Sequence, residues 1–181
     1  VKGAKYFESF AKADTIVFDK TGTLTEAQPR LACVLTTDGW SEDEVLRLSA
    51  CLEEHFPHPV ARAVVNAARE RGLEHRERHA AVEYIVAHGI ASSIEGRRAI
   101  IGSAHFVFED EGAQLESDIK ERIELQMQGL SPLYLAVDGT VVGVLGIEDP
   151  LKPGVREAIA DLHALGVKHV VCLLYTSPSP R

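Results

Sequence analysis

The sequence predicts an α/β protein in which a Rossmann-like domain is interrupted by an inserted α+β domain built on an antiparallel sheet. Three observations carry this prediction. The short apolar run Thr15-Ile16-Val17-Phe18 reads as a buried strand ending in Asp19, which places a carboxylate at the strand tip, where open α/β sheets hold their ligands. A helical pattern after Pro153 is followed by an apolar strand over residues 168–174, half of a parallel crossover, so that this last strand should lie beside the first. Between them, alternating segments are broken by the hairpin signals Glu95-Gly96 and Asp138-Gly139, which point to antiparallel pairing.

Composition suits a packed, soluble protein: 45% hydrophobic and 25% charged residues in 181, enough chain for one good core or two modest ones. A net charge of −8 argues against a nucleic-acid partner, because binding to a polyanion rests on clustered positive charge. Cys33, Cys51 and Cys172 are widely spaced and give neither a disulfide framework nor a zinc pattern. No stretch approaches the roughly 20 continuous apolar residues of a membrane-spanning helix, and the first residues lack a signal-peptide pattern.

The chemistry is concentrated in Asp19-Lys20-Thr21-Gly22-Thr23-Leu24-Thr25. Gly22 permits a tight turn, while the threonine hydroxyls and backbone N–H groups around the carboxylate suit phosphate oxygens and a divalent cation. Asp19 is placed to attack phosphorus and carry a phosphoryl group as an aspartyl phosphate, a transfer that asks mainly for alignment and charge neutralisation. Lys20 adds a nearby positive charge. Two places after the nucleophile stands Thr21, where soluble phosphatases built on this kind of loop usually hold a second Asp that protonates the leaving group and then activates water. Threonine does neither near neutral pH, so the acyl phosphate is expected to persist as a stored state. A bare Asp-x-x-Gly could equally be a polar turn; the full heptad is far more specific.

Residues 19–25 resemble the phosphorylation signature of P-type ATPases, within the haloacid dehalogenase superfamily, and residues 1–174 are similar to the heavy-metal-transporting branch of those enzymes. The resemblance implies a haloacid-dehalogenase-type phosphorylation domain with ATP and Mg²⁺ as cofactors. Asp19 is then the nucleophile, Lys20 offsets charge, and Asp19 with the Thr21 carbonyl holds Mg²⁺. It further implies a longer parent protein in a membrane, with this region on the cytosolic face, an actuator domain elsewhere in the same chain, and a transition-metal cation carried by helices beyond both ends. In the family the last strand is followed by Thr-Gly-Asp, a Lys and a Gly-Asp-Gly-x-Asn-Asp segment. None of these is present here, so the phosphorylation domain is read as incomplete. Residues 175–181, Tyr-Thr-Ser-Pro-Ser-Pro-Arg, read as a low-complexity, non-native tail.

Taken in order, residues 3–11 form an amphipathic lead-in, and residues 30–36 a strand. Ser41 with Glu44 three residues later is a capping box that opens a helix running to about Glu54. Pro59 falls in the first turn of the next helix, which continues to Gly72. His58, fixed at that helix entrance with Glu53 five residues before it, matches the His-Pro pair and preceding Glu that contact adenine in the heavy-metal branch. The departure is Pro57, where the family often has Glu. Strands are expected at 81–87, 91–94, 97–101, 131–137 and 140–147, and residues 115–127 form a helix with Leu115, Ile119, Ile123 and Met127 on one face. Ala87-His88-Gly89 stands where the family has Gly-x-Gly, and Ile101-Gly102-Ser103 where it has Ile-Gly-Asn, which adds Gly89, Gly102 and Ser103 to the nucleotide contacts. The pairs His55/His58 and His75/His79 lack a third ligand, and the latter pair reads as solvated surface.

The Asp149 to Pro153 segment resembles the family's re-entry motif, or is an ordinary loop before a helix opened by Pro153 with Val155, Ala158, Ile159, Leu162 and Leu165 on one side. The domain reading is thus 1–26 with 145–181 for phosphorylation and 27–144 for nucleotide binding. A soluble phosphatase and a nucleotide-binding fragment without chemistry are the alternatives.

Overall fold

The computed structural model describes residues 12–73, 83–85, 89–94 and 96–173. In chain order its elements are β1 (Thr15–Asp19), β2 (Arg30–Thr36), α1 (Glu42–Glu53), α2 (Pro59–Glu70), β3 (Glu83–Ile85), β4 (Gly89–Ile94), β5 (Arg97–Gly102), α3 (Ser117–Gln126), β6 (Ser131–Val137), β7 (Thr140–Glu148), α4 (Val155–Ala164) and β8 (His169–Leu173). Two compact units result. One combines the residues up to Ala27 with those from Asp149 onward, and the other is Gln28–Glu148.

In the first unit β1 and β8 pair in parallel, from Thr15 opposite His169 to Asp19 opposite Leu173. This is the pairing that the crossover argument predicts. Pro153 does not open α4. Gly154 precedes the helix with φ 82°, a left-handed conformation that a helix interior does not accommodate, so Pro153 and Gly154 form a turn and the helix begins at Val155. Its half-buried positions are Val155, Ile159 and Leu162, spaced by four and three as one helical face requires. Ala158 is exposed, and Leu165 is 83% exposed, so the expected apolar face is narrower than the sequence pattern suggests.

The second unit is an antiparallel sheet in the order β2-β7-β6-β5-β4-β3. Its inner strands β4 to β7 are buried on both faces over most of their length and therefore read as nearly continuous apolar runs, with successive side chains entering different cores. Val34, Ile90, Ile101 and Leu135 join α1 and α2 in one core. Their neighbours Leu35, Ala91, Ile100 and Ala136 join α3 and the wide turn His105–Asp110 in the other. α1 starts where its chemistry says it should: Glu44 N–H donates to Ser41 Oγ at 3.3 Å while Ser41 N–H donates to Glu44 Oε2 at 3.0 Å. α2 carries Pro59 at its start, where a missing N–H costs nothing. Asp138 and Gly139, with φ 50° and 80°, make the tight β6–β7 hairpin that the Asp-Gly pair signals. The expected lead-in over 3–11, Ala87-His88, the histidine pair His75/His79 and the tail 175–181 lie outside the described residues.

Candidate functional sites

The first site grows from the end of β1. Asp19 is the strand's last residue and is exposed. The loop that follows turns through Thr21 (φ −77°, ψ 120°) and Gly22 (φ 80°, ψ −14°), the dihedral pair of a type II turn, whose second central position favours glycine. Thr25 closes the loop. It is fully buried, its N–H donates to the Lys20 carbonyl at 3.1 Å, and its Oγ1 accepts from Gly22 N–H at 3.2 Å. The Thr25 hydroxyl donates to Asp149 Oδ2 at 2.6 Å. Thr25 is thus engaged in holding the loop, a correction to the view that all three threonine hydroxyls face the nucleophile.

The Asp149 to Lys152 segment runs antiparallel to the end of this loop, with Thr25 bridged to Leu151. Glu26 N–H donates to the Pro150 carbonyl and Lys152 N–H to the Leu24 carbonyl, each at 2.9 Å, and Lys152 Nζ donates to the Gly22 carbonyl. Sequence reasoning left open whether this stretch was a motif or an ordinary loop. Asp149 and Lys152, absent from the predicted site, are the residues that pin the loop after Asp19; their spacing of three, just after a strand, was the available signal. Asp19 and the Thr21 backbone provide hard oxygen donors within three residues. Among the described residues no group of three His, Cys, Asp or Glu side chains converges. One carboxylate with a carbonyl is a donor set that fits Mg²⁺, which commonly takes one or two carboxylates and completes its shell with phosphate and water.

The second site is a pocket of about 270 Å³ in the Gln28–Glu148 unit. It brings together Glu53, His58, Gly89, Gly102 and Ser103, all five residues predicted as nucleotide contacts. Each is placed by a different local rule. Glu53 is the last residue of α1 and 6% exposed; burial without a compensating charge raises its carboxyl pKa to about 7. His58 caps α2, its Nδ1 accepting from Val60 N–H at 3.3 Å. In the neutral ring the proton then sits on Nε2, which remains a donor. Gly89 and Gly102 are direct partners across β4 and β5. A β-carbon on Gly89 would collide with the Phe106 ring and lie 2.7 Å from the Ile101 carbonyl, so glycine is demanded there by packing. Ser103 Oγ accepts from Phe106 N–H at 3.3 Å, capping the wide turn that carries Phe106. Ile90, Ile101, Leu133 and Val60 supply apolar lining, and Phe56 joins them. Phe56 and these four apolar residues are the described lining that sequence reasoning missed; for Phe56 the signal was its place between Glu53 and His58.

Residues 13–180 match the haloacid dehalogenase-like hydrolases, and the chain belongs to that family. Within it, the relatives are heavy-metal P-type ATPases. The chain is 36% identical over 171 residues to a copper-exporting P-type ATPase of Legionella pneumophila, covering 94% of this chain and 23% of the relative. It therefore spans about a quarter of that protein's length. Its fold matches a crystal structure of a zinc-transporting PIB-type ATPase in its E2.Pi state with a TM-score of 0.69 and 30% identity, over 94% of this chain and 27% of that one. A crystal structure of the N-domain of HMA6, a copper-transporting P-type ATPase, matches 67% of this chain and 99% of its own length, with a TM-score of 0.56 and 28% identity. No helix among the described residues is long and apolar enough to cross a membrane.

Proposed function

We infer that this chain is the ATP-binding and autophosphorylation region of a heavy-metal cation-transporting P-type ATPase. The observation that carries the reading is the convergence of Glu53, His58, Gly89, Gly102 and Ser103 on one pocket, in a chain whose Asp19 ends a parallel strand. The Gln28–Glu148 unit acts as the nucleotide domain, and the unit containing Asp19 as the phosphorylation domain.

In this reading the pocket takes the base end of ATP. Drug-sized ligands occupy on the order of 300–1,000 Å³, so 270 Å³ accommodates the base while the triphosphate projects beyond it. The Asp19 carboxylate attacks the γ-phosphorus, the bond between that phosphorus and its bridging oxygen breaks, and ADP leaves with the electron pair. Lys20 offsets the charge, and the pinned loop keeps the carboxylate aligned. Asp19 and the Thr21 carbonyl would hold Mg²⁺, which neutralises phosphate charge when bound. Because Thr21 occupies the place of an acid, the aspartyl phosphate is not hydrolysed at once; in the parent protein it drives movement of a transition-metal cation through membrane helices, with the actuator domain of the same chain as partner.

Calorimetry with ATP tests the pocket. The chain should bind ATP, and His58→Ala should weaken binding several-fold, as expected for a lost hydrogen bond of about 0.5–1.5 kcal/mol. Equal affinities would reject the site. The chemistry is tested in the longer protein that carries this segment: hydroxylamine-labile label from γ-labelled ATP should appear and should vanish in Asp19→Asn.

A further inference from the structure

We propose that Phe56 is the stacking platform for the nucleotide's purine base, a role that none of the five matched contact residues supplies. This deepens the reading of the pocket as a nucleotide site and rests on it. Phe56 is a large apolar side chain left 37% exposed, and it lines the same pocket as Glu53 and His58. An aromatic ring at the wall of a pocket is worth most to a ligand that is itself a flat π-system, since stacking brings whole faces into contact.

The backbone fixes this ring. Phe56 N–H donates to the Glu53 carbonyl at 2.9 Å, and His58 N–H donates to the Phe56 carbonyl at 2.8 Å. Pro57, between them, holds its own φ near −65°. The backbone that carries the ring is therefore a short tether hydrogen-bonded at both ends, which holds the Phe56 Cα at the pocket wall beside Glu53 and His58. Its centroid lies 6.0 Å from that of His58, with the planes inclined by 32°, so the two rings form a tilted pair at the same wall.

The polar groups complement a base and leave its face unattended. In this reading Glu53 and His58 Nε2–H supply an acceptor and a donor for the edges of the base. Gly89 and Gly102, opposite one another on adjacent strands, contribute backbone only. Ser103 has its hydroxyl engaged with Phe106 N–H. Among the described residues lining the pocket, the aromatic side chains are Phe56 and His58. Stacking on Phe56 selects for ring area, which favours purine over pyrimidine nucleotides, while the edge groups choose between purines.

The test compares wild type with Phe56→Leu, which keeps apolar bulk and removes the π-face, and Phe56→Tyr, which keeps the face. Affinities for ATP, CTP and inorganic tripolyphosphate are measured by calorimetry on the whole chain. Phe56→Leu should lose roughly 5- to 150-fold in ATP affinity, the range that base–aromatic stacking represents, and should lose most of the preference for ATP over CTP. Phe56→Tyr should stay within about threefold of wild type by the same reasoning, and tripolyphosphate binding should not distinguish the three proteins. In wild type the adenine H2 and H8 resonances should move upfield on binding by ring-current shielding, and in Phe56→Leu that shift should vanish; this readout depends on the ring and not on stability. If Phe56→Leu binds ATP as tightly as wild type, or the adenine resonances do not shift upfield, the stacking role is wrong although the pocket remains a nucleotide site. If wild type itself binds no ATP, the underlying reading fails first, and the stacking role with it.

Discussion

Replacing Glu53 by Gln is the substitution with the most clearly signed consequence. Glu53 sits 6% exposed at the end of α1, and burial raises its pKa from 4.5 to about 7. The folded protein therefore keeps a proton that the unfolded chain gives up above about pH 4.5, so stability falls as pH rises from about 4.5 to 7 and is level above that. A shift of about 2.5 pH units, at 1.36 kcal/mol each, makes the term about 3 kcal/mol when fully developed. Glutamine is neutral at every pH. Glu53→Gln should be nearly equal to wild type in urea unfolding at pH 4.5 and more stable by about 2–3 kcal/mol at pH 8, with the gap opening between. A gap independent of pH would refute the argument, because it would mean that Glu53 carries no raised pKa. The same carboxylate gives a binding signature. A ligand amine donating to Glu53 favours its ionised form, so ATP binding by wild type should strengthen as pH rises toward 7 and release protons, whereas Glu53→Gln should bind without that proton release.

Three further outcomes follow from the packing. Ser49 is fully buried in α1, and its hydroxyl has no hydrogen-bond partner among the described residues; Ser49→Ala removes an unsatisfied polar atom and should stabilise by about 1 kcal/mol, read as a rise in Tm of about 2–4 °C. Gly89→Ala drives a methyl group into the Phe106 ring and should cost about 1–3 kcal/mol, the usual range for overpacking, with a matching drop in thermal stability and loss of ATP binding. Thr25→Val deletes the 2.6 Å bond to Asp149; with Asp149 Oδ1 already buried and unpartnered among the described residues, it should cost about 1.5–3 kcal/mol and speed amide exchange at Gly22 and Thr25.

The fold was legible where local and tertiary signals agreed. The strand before Asp19 and the strand at 169–173 were paired correctly because a crossover leaves little choice of neighbour and hand. Ser41 and Glu44 announced α1 through a reciprocal cap, and Asp138-Gly139 announced a hairpin through its dihedral demands. Pro153 misled because a proline fits both the first helical turn and the turn before it; what decided the matter was the left-handed Gly154, which spacing alone does not reveal. The covered apolar face of α4 is narrower than its periodicity suggests for a related reason. Periodicity marks which residues share a face and says nothing of how much of that face another element covers.

The sites divide along the same line. Glu53, His58, Gly89, Gly102 and Ser103 were found by matching short motifs, and the structure adds why those residue types stand there. His58 and Ser103 each cap a helical turn, and Gly89 makes room for Phe106. A residue held by such a structural task has a fixed orientation before any ligand arrives, which lowers the entropy lost on binding. Phe56, Asp149 and Lys152 belong to the opposite case. Their types are common on surfaces and loops; the position of Phe56 between Glu53 and His58 was the available signal for it, whereas only the fold brings Lys152 Nζ to the Gly22 carbonyl across 130 positions of sequence. Lys152 and Asp149 therefore couple the segment 149–152 to the loop after Asp19, so that this loop's hydrogen bonds form only when residues far apart in sequence have folded together. The alignment of Asp19 thus depends on long-range folding of its unit, while the binding pocket depends on the packing of a sheet that is complete within Gln28–Glu148.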